Sequence, residues 1–326
     1  MTGQPVLSYA SRFAVTLTLL MVVASASATK VKPLTLSKDQ VPPKGYLPTG
    51  LQVPVQNQPT ILPDLPYRAN AATCAITELE GEIHLLAPGT ETHYTYTPGS
   101  TVWIIGTALT ESNYTATGAT AAVVGNTLYG ALQKSSSESK RAAAFTKASN
   151  SWSPLPLIPD ATYGIKRLAN LNGQLLALTR VGGAYVFNTS GNSWSQLSAI
   201  PIPAGQLLQD AVAVGNTVYA AYGLPASVEF NLVHYVADSN SWSSPSLVPM
   251  TYSSIALASL SGNLYLFGSP RKLQVDLATG AYAVAPFGEM WSGAVEGTSL
   301  GFFFVDGRTA ATVNPVTPTL NVFQKK

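Results

Sequence analysis

Two short signatures alternate along most of this chain, and no other feature limits the fold as strongly. The first is a glycine turn leading into an apolar strand: "GEIHLLA" from Gly81, "GNTLYGA" from Gly125, "GQLLALT" from Gly173, "GNTVYAA" from Gly215, "GNLYLFG" from Gly262 and a degenerate "GTSLGFF" from Gly297. The second is an apolar or aromatic residue with a large residue seven positions on: Tyr96/Trp103, Phe145/Trp152, Phe187/Trp194, Tyr235/Trp242, Val275/Tyr282 and Val313/Leu320. The two alternate without a gap, and successive second signatures lie 38 to 49 residues apart. A fixed period of this length is the mark of a repeat architecture.

Three of the five tryptophans sit in one tetrapeptide, Asn-Ser-Trp-Ser, at Asn150–Ser153, Asn192–Ser195 and Asn240–Ser243. Asn and Ser favour a tight turn because they tolerate the left-handed region and bond to their own backbone. Trp then opens a strand and fills the wide space between units. Each unit reads as four short strands. The first precedes the glycine turn and is rich in small residues, as in "AATCAI" (71–76), "GATAAVV" (118–124), "DAVAV" (210–214), "SIALASL" (254–260) and "SGAVE" (292–296). A ring of radial sheets accounts for this gradient: strands crowd at the axis, where Ala, Gly and Ser fit, and spread at the rim, where an indole is needed. Closure of the ring also removes long unpaired edges. The expectation is an all-β, six-bladed β-propeller of four-stranded antiparallel blades. Its last blade is closed either by Thr319–Phe323 or by Leu51–Gln56.

The glycine turn before an apolar strand, the Tyr/Phe of the third strand and the Trp seven residues on resemble the kelch-type propeller, the fold of galactose-oxidase-like proteins. The resemblance covers about 60–326. The paired glycines usual at the end of the second kelch strand are mostly missing, since only Gly182-Gly183 forms a pair, and several residues late. This marks a divergent kelch or a neighbouring lineage. The turns "SGNSW" and "DSNSW" lack the Asp-x-Gly order of sialidase Asp boxes. What the resemblance implies is an interaction scaffold. The copper chemistry of galactose oxidase would need a Cys–Tyr crosslink and two His ligands, a set this sequence does not suggest.

Upstream, Arg12 is followed by the apolar run Phe13–Ala28, which ends in Ala24-Ser25-Ala26 and Ala26-Ser27-Ala28. This is a secretory signal pattern, and its apolar part of about a dozen residues is short of the roughly 20 that a membrane span needs. Residues 1–28 are read as a signal peptide, 29–59 as a Pro-rich linker and 60–326 as the propeller. The protein is expected to be secreted and extracellular, or anchored at the membrane if the signal segment is retained. The single cysteine, Cys74, excludes an intramolecular disulfide and reads as a buried structural thiol. Charged residues make up only 10% of the chain and the net charge is +2, so nothing favours nucleic acid as a partner. A monomer is expected.

No catalytic residue is assigned, and no cofactor or metal is implied. His84 and His93 fall on successive strands of the first unit as cross-strand neighbours, polar residues on a half-exposed hairpin with no third ligand. Glu78, Glu80 and Glu82 surround a solvated turn. The phosphate-loop, Gly-x-Ser-x-Gly and His-Glu-x-x-His motifs do not occur. The loops entering each first strand gather on one face of a propeller. They carry Tyr67, Arg68, Tyr114, Tyr163, Lys166, Arg167, Gln206, Asp210, Tyr252, Glu289 and Trp291. Aromatics beside hydrogen-bonding groups suit a protein or glycan ligand, and they also serve to seal loops over a core. Of these, Tyr67, Arg68, Tyr114, Tyr163, Arg167, Tyr252 and Trp291 are the candidate ligand-binding residues. "QKSSSESKR" (Gln133–Arg141) reads as an exposed insertion. Asn113 and Asn188 head glycosylation sequons that make the chain a glycoprotein only in a glycosylating host. The leading functional reading is a secreted binding module for an extracellular protein or glycan. The alternatives are a carbohydrate-active enzyme using an axial pocket with Arg68, Arg167, Glu289 and Tyr252, and a surface-anchored structural protein.

Overall fold

The computed structural model describes residues 60–65, 74–88, 92–109, 118–133, 141–160, 163–224, 229–249, 255–268, 272–284, 294–298, 301–306 and 309–313. All lie in one compact unit, Pro54–Lys326. The regular structure among them is β-sheet with two single 3-10 turns. The strand β1 (Thr60–Ile61) comes first. There follow β2 (Ala75–Leu79), β3 (Glu82–Ala87), β4 (Thr92–Tyr96) and β5 (Ile104–Ile105), then β6 (Gly118–Val124), β7 (Thr127–Gln133), β8 (Arg141–Thr146) and β9 (Ser151–Leu157). The third group is β10 (Ile165–Leu171), β11 (Gln174–Thr179), β12 (Ala184–Asn188) and β13 (Ser193–Gln196). Next come β14 (Leu207–Val214), β15 (Thr217–Gly223), β16 (Asn231–Val236), β17 (Ser241–Trp242) and β18 (Ser246–Leu247). The last are β19 (Ala256–Leu260), β20 (Asn263–Phe267), β21 (Lys272–Val275), β22 (Tyr282–Val284), β23 (Ala294–Thr298), β24 (Gly301–Asp306) and β25 (Thr309–Val313).

Each group is an antiparallel meander, and the whole is an all-β propeller. The expected six four-stranded blades are corrected. Five blades are four-stranded: β2–β5, β6–β9, β10–β13, β19–β22 and β23–β24–β25–β1. The sheet of β14–β18 has five strands, because its outer edge is broken in two. Both β17 and β18 pair with β16, on either side of Ser243–Pro245. At the break the Ser243 hydroxyl, rather than a main-chain carbonyl, accepts the N–H of His234 at 3.0 Å. Pro245 has no N–H to continue the ladder. The kelch-type, galactose-oxidase-like arrangement is corrected with it. Gly182-Gly183 lies in the β11–β12 connection, where Gly182 (φ +96°) packs against the carbonyl of Ile200, and does not end a second strand.

The strand closing the last blade is neither of the two expected. Thr60 and Ile61 pair with Thr312 and Ala311, so the N-terminal side of the chain completes the sheet made by its C-terminal side. Leu51–Gln56 and Thr319–Phe323 lie outside the described residues, as do Phe13–Ala28 and 134–140 of the polar insertion.

The first two strands of each blade meet at two-residue hairpins. Glu80-Gly81, Asn172-Gly173 and Ser261-Gly262 all have both residues at positive φ, the left-handed pair whose twist suits tight antiparallel strands. The degenerate sixth glycine is different. Gly297 sits inside β23, and a Cβ there would lie 1.6 Å from the carbonyl oxygen of Ser259. It is an axial residue that lets two inner strands approach, not a turn residue.

The first strands pack side by side around the ring, with β23 against β2 closing it. At the rim, Phe145/Trp152, Phe187/Trp194, Tyr235/Trp242 and Val275/Tyr282 are directly opposite across the third and fourth strands. Their aromatic pairs have ring centroids 5.1 to 5.4 Å apart, and Tyr96/Trp103 are 5.2 Å apart just before β5. The core lies between neighbouring sheets, in clusters such as Leu176, Leu178, Leu208, Val218 and Tyr222.

Candidate functional site

Strand alternation aims every second side chain of a first strand at the following sheet. Four residues before the end of each such strand stand Thr120 on β6, Arg167 on β10 and Asp210 on β14. All three reach the next sheet in turn. Thr120 Oγ1 accepts the N–H of Leu168 at 2.9 Å. Arg167 forms an ion pair with Asp210, Nε to Oδ1 2.5 Å. Asp210 Oδ2 accepts the N–H of Leu257 at 2.8 Å, and its Oδ1 accepts the N–H of Ala211 at 2.6 Å. The Asp210 carboxylate is thus buried, charge-compensated and committed at both oxygens. It is a brace among β10, β14 and β19 at the mouth of the ring, and has no lone position for acid–base work.

Two β-bulges sit at this mouth. Ile165 pairs with Thr179 and Arg167 with Leu178, leaving Lys166 as the extra residue. Leu208 pairs with Tyr222 and Asp210 with Ala221, leaving Gln209 extra. Bulges end regular pairing and redirect side chains, and they concentrate at rims and sites. The carbonyl of Lys166 accepts a bond from the side-chain amide of Gln133, which ties this bulge to the preceding blade. Three residues before Lys166, Tyr163 has 37% of its surface exposed, and its N–H donates to Asp160 Oδ1 at 2.9 Å. The side-chain oxygen of Gln206 is buried with no partner among the described residues.

Of the candidate ligand-binding residues, Tyr163 and Arg167 fall within the described structure, on the connection into β10 and on β10 itself. Tyr67, Arg68, Tyr114, Tyr252, Trp291 and Asn113 lie outside it, as does Glu289. Asn188 ends β12, exposed, with its Oδ1 accepting the N–H groups of Ser190 and Gly191 at 3.0 and 3.1 Å. The bulge residue Gln209 and the brace at Thr120 had escaped sequence reasoning. The available signal was a polar residue at the same position, four before the end, of three first strands.

The histidines are corrected. His84 and His93 are not on a half-exposed hairpin: they are 1% and 0% exposed. His93 lies diagonal to His84 across β3 and β4, with Nδ1 of His84 2.8 Å from Nε2 of His93. The rings stack on each other and meet Phe145, and His93 also meets Trp152. Burial lowers His84 to about 4, against a smaller raising effect of Glu82. Burial, then the neighbouring His84, lowers His93 to about 3. The pair is neutral core between two blades. Groups of three or more metal-ligating side chains do not occur among the described residues. Cys74 is buried, and burial pushes its thiol up to about 12, where it is inert at neutral pH.

No protein-family model matches the chain, and no curated protein sequence matches it. Solved structures do match. One is the structure of YjhT, at 13% sequence identity and a TM-score of 0.58, over 77% of this chain and 95% of that one. Such a likeness carries the fold alone. It supports a β-propeller distantly similar to YjhT and does not uphold the kelch-type, galactose-oxidase-like assignment drawn from the repeat.

Proposed function

We propose that this propeller is a non-enzymatic binding module that takes a protein or a glycan on the face where its first strands begin. The observation that carries the reading is the pair of neighbouring bulges at Lys166 and Gln209, beside the exposed ring of Tyr163 and braced from beneath by Asp210. A rigid closed scaffold with irregular, polar and aromatic positions at its mouth suits recognition more than chemistry. Asp210, the buried carboxylate at this mouth, is consumed as a brace, which weighs against its use as an acid or base. Secretion belongs to the same proposal and rests on the signal pattern of Phe13–Ala28. No helix among the described residues is long and apolar enough to cross a membrane.

The test is a glycan and peptide array probed with the exported protein, whose N-terminal sequencing also decides whether the signal is removed. Tyr163→Ala and Lys166→Ala are expected to weaken the strongest hit at least about tenfold, a loss near 1.4 kcal/mol, with an unchanged melting temperature. Undiminished binding in both variants overturns the assignment of this face. Turnover of an arrayed glycan overturns the non-enzymatic reading.

A further inference from the structure

The opposite end of the same strands carries a groove that the reading above does not use. It lies where the β10–β11 and β14–β15 hairpins meet the end of β16, and it encloses about 570 Å³, open to solvent on one side. Its size is within the range of roughly 300–1,000 Å³ usual for ligand sites. Asn172 and Asn216 come from the two hairpin turns, Thr217 from the start of β15, His234 from β16 and Asp238 from the 3-10 turn after it. Among the described residues, none hydrogen-bonds or ion-pairs with any of these five side chains. They are nonetheless held on fixed backbone: Asn172 is in the left-handed region of a two-residue turn, and the strand of His234 is locked to Ser243 through both backbone groups. His234 is half-buried, with its ring 5.6 Å from that of Tyr219, its cross-strand partner.

We infer that this groove binds a polyhydroxylated ligand, a pyranose unit of a glycan. The chemistry of the lining selects it. A carboxamide, an imidazole and a hydroxyl can each donate and accept, and so can every sugar hydroxyl. Asp238 adds acceptors suited to a pair of neighbouring hydroxyls. No Lys or Arg lines the groove among the described residues, so an anionic ligand such as a phosphate finds no fixed counter-charge. The His234 ring, tilted 43° against Tyr219, offers a flat face for the C–H face of a pyranose. This site is separate from the bulged mouth, and each stands or falls without the other.

The probes are D-glucose, D-galactose and N-acetyl-D-glucosamine, with trilysine as a cationic control, titrated into the full isotope-labelled protein. At least one sugar is expected to move the His234 ring resonances and the side-chain amide signals of Asn172 and Asn216 in a saturable way. The Asn172→Gly/Asn216→Ala double variant keeps the left-handed backbone at 172, since glycine adopts it at no steric cost, and is expected to weaken that sugar at least about tenfold. Tyr163→Ala is expected to leave it unchanged. Absence of any shift up to about 50 mM sugar, well above the weakest affinities worth naming, overturns the inference. So does sugar binding that survives the double variant, and so does a response to trilysine without one to sugar, which makes the groove an acidic site.

Discussion

Trp242 donates its indole N–H to the carbonyl of Ser198 at 2.9 Å, and the N–H of that same Ser198 donates to Asn240 Oδ1 at 3.0 Å. Both polar ends of one residue in the preceding blade are therefore gripped by one Asn-Ser-Trp. The second blade repeats it on Thr107, whose N–H goes to Asn150 Oδ1 at 3.2 Å and whose carbonyl takes the Trp152 N–H at 3.0 Å. In the third blade Trp194 finds the carbonyl of Pro156 at 2.9 Å, but a proline has no N–H for Asn192 to accept. Trp103 likewise reaches Pro63 at 2.9 Å and ties the first blade to the segment that closes the ring. The recurrent tetrapeptide is a clasp between successive blades, and its asparagine matters beyond its turn.

That difference separates two identical motifs. Asn192 and Asn240 share a left-handed backbone, both at φ 45°, which glycine keeps at no steric cost. Asn240→Gly removes the acceptor of the Ser198 N–H and of the Tyr235 hydroxyl, which lies 2.9 Å from Asn240 Oδ1. The expected loss is about 1–2 kcal/mol. Asn192→Gly has no such bond to lose and should stay within about 0.5 kcal/mol of the parent. Urea unfolding of the two variants checks this, and equal losses contradict the clasp.

Crowding at the axis makes a second expectation. Gly297→Ala would set a methyl 1.6 Å from the Ser259 oxygen and 2.7 Å from its carbonyl carbon, both main-chain atoms of the adjacent first strand. Backbone on both sides leaves nothing flexible to give way, so β19 and β23 must separate. A loss above about 3 kcal/mol, or failure to fold, is expected. Gly191→Ala is the control, because its methyl would meet only side chains, the movable Ser193 hydroxyl at 3.2 Å and the Asn188 amide at 3.5 Å. Circular-dichroism melts of both proteins decide it.

The repeat was legible because it follows from ring geometry. Hairpin glycines, inner small residues and rim indoles each answer a packing demand that recurs from blade to blade, glycines at five of the hairpins and indoles at four of the rims, and the Phe/Tyr-to-Trp interval is the register of the third and fourth strands. Closure by Thr60–Ile61 was not legible, since two residues carry no periodicity. The broken edge at Ser243–Pro245 was hidden for a similar reason: β9 runs unbroken through Pro154 and Pro156, so proline alone does not foretell a break. The histidines were misjudged because alternation places His84 and His93 on the buried face only once the diagonal contact and Phe145 of the next blade are known. Tyr163 and Arg167 could be placed from the sequence on the segment that enters a first strand, but the bulges beside them depend on pairing, which a linear pattern does not contain.

Cys74 gives a direct probe of global unfolding. It is 5% exposed, next to β2, and its thiol is raised to about 12 by burial. Thiolate is the reactive form, so a disulfide reagent at pH 8 should leave the native protein unlabelled for hours. One thiol per chain should react promptly in strong denaturant. Fast labelling of the native state would mean that the first blade opens locally.

The buried histidines set an acid limit on the ring. In the unfolded chain both titrate near 6.5; in the fold they are lowered to about 4 and about 3. Between these values the unfolded state binds more protons, so stability is full above about pH 6.5 and falls as pH drops through the folded values. His84 alone is worth on the order of 3 kcal/mol by pH 4. The charged groups around His84 are Glu82 and Glu80, which favour its protonation, and Lys147, which opposes it and is itself bridged to both carboxylates at 2.9 and 3.4 Å. Those bridges are exposed and add little. Melting temperature measured from pH 7 to pH 4 should fall steeply. In a His84→Leu/His93→Leu double variant, which replaces both hydrogen-bond partners by apolar groups, most of that slope should vanish. A slope unchanged in the double variant would locate the acid sensitivity elsewhere.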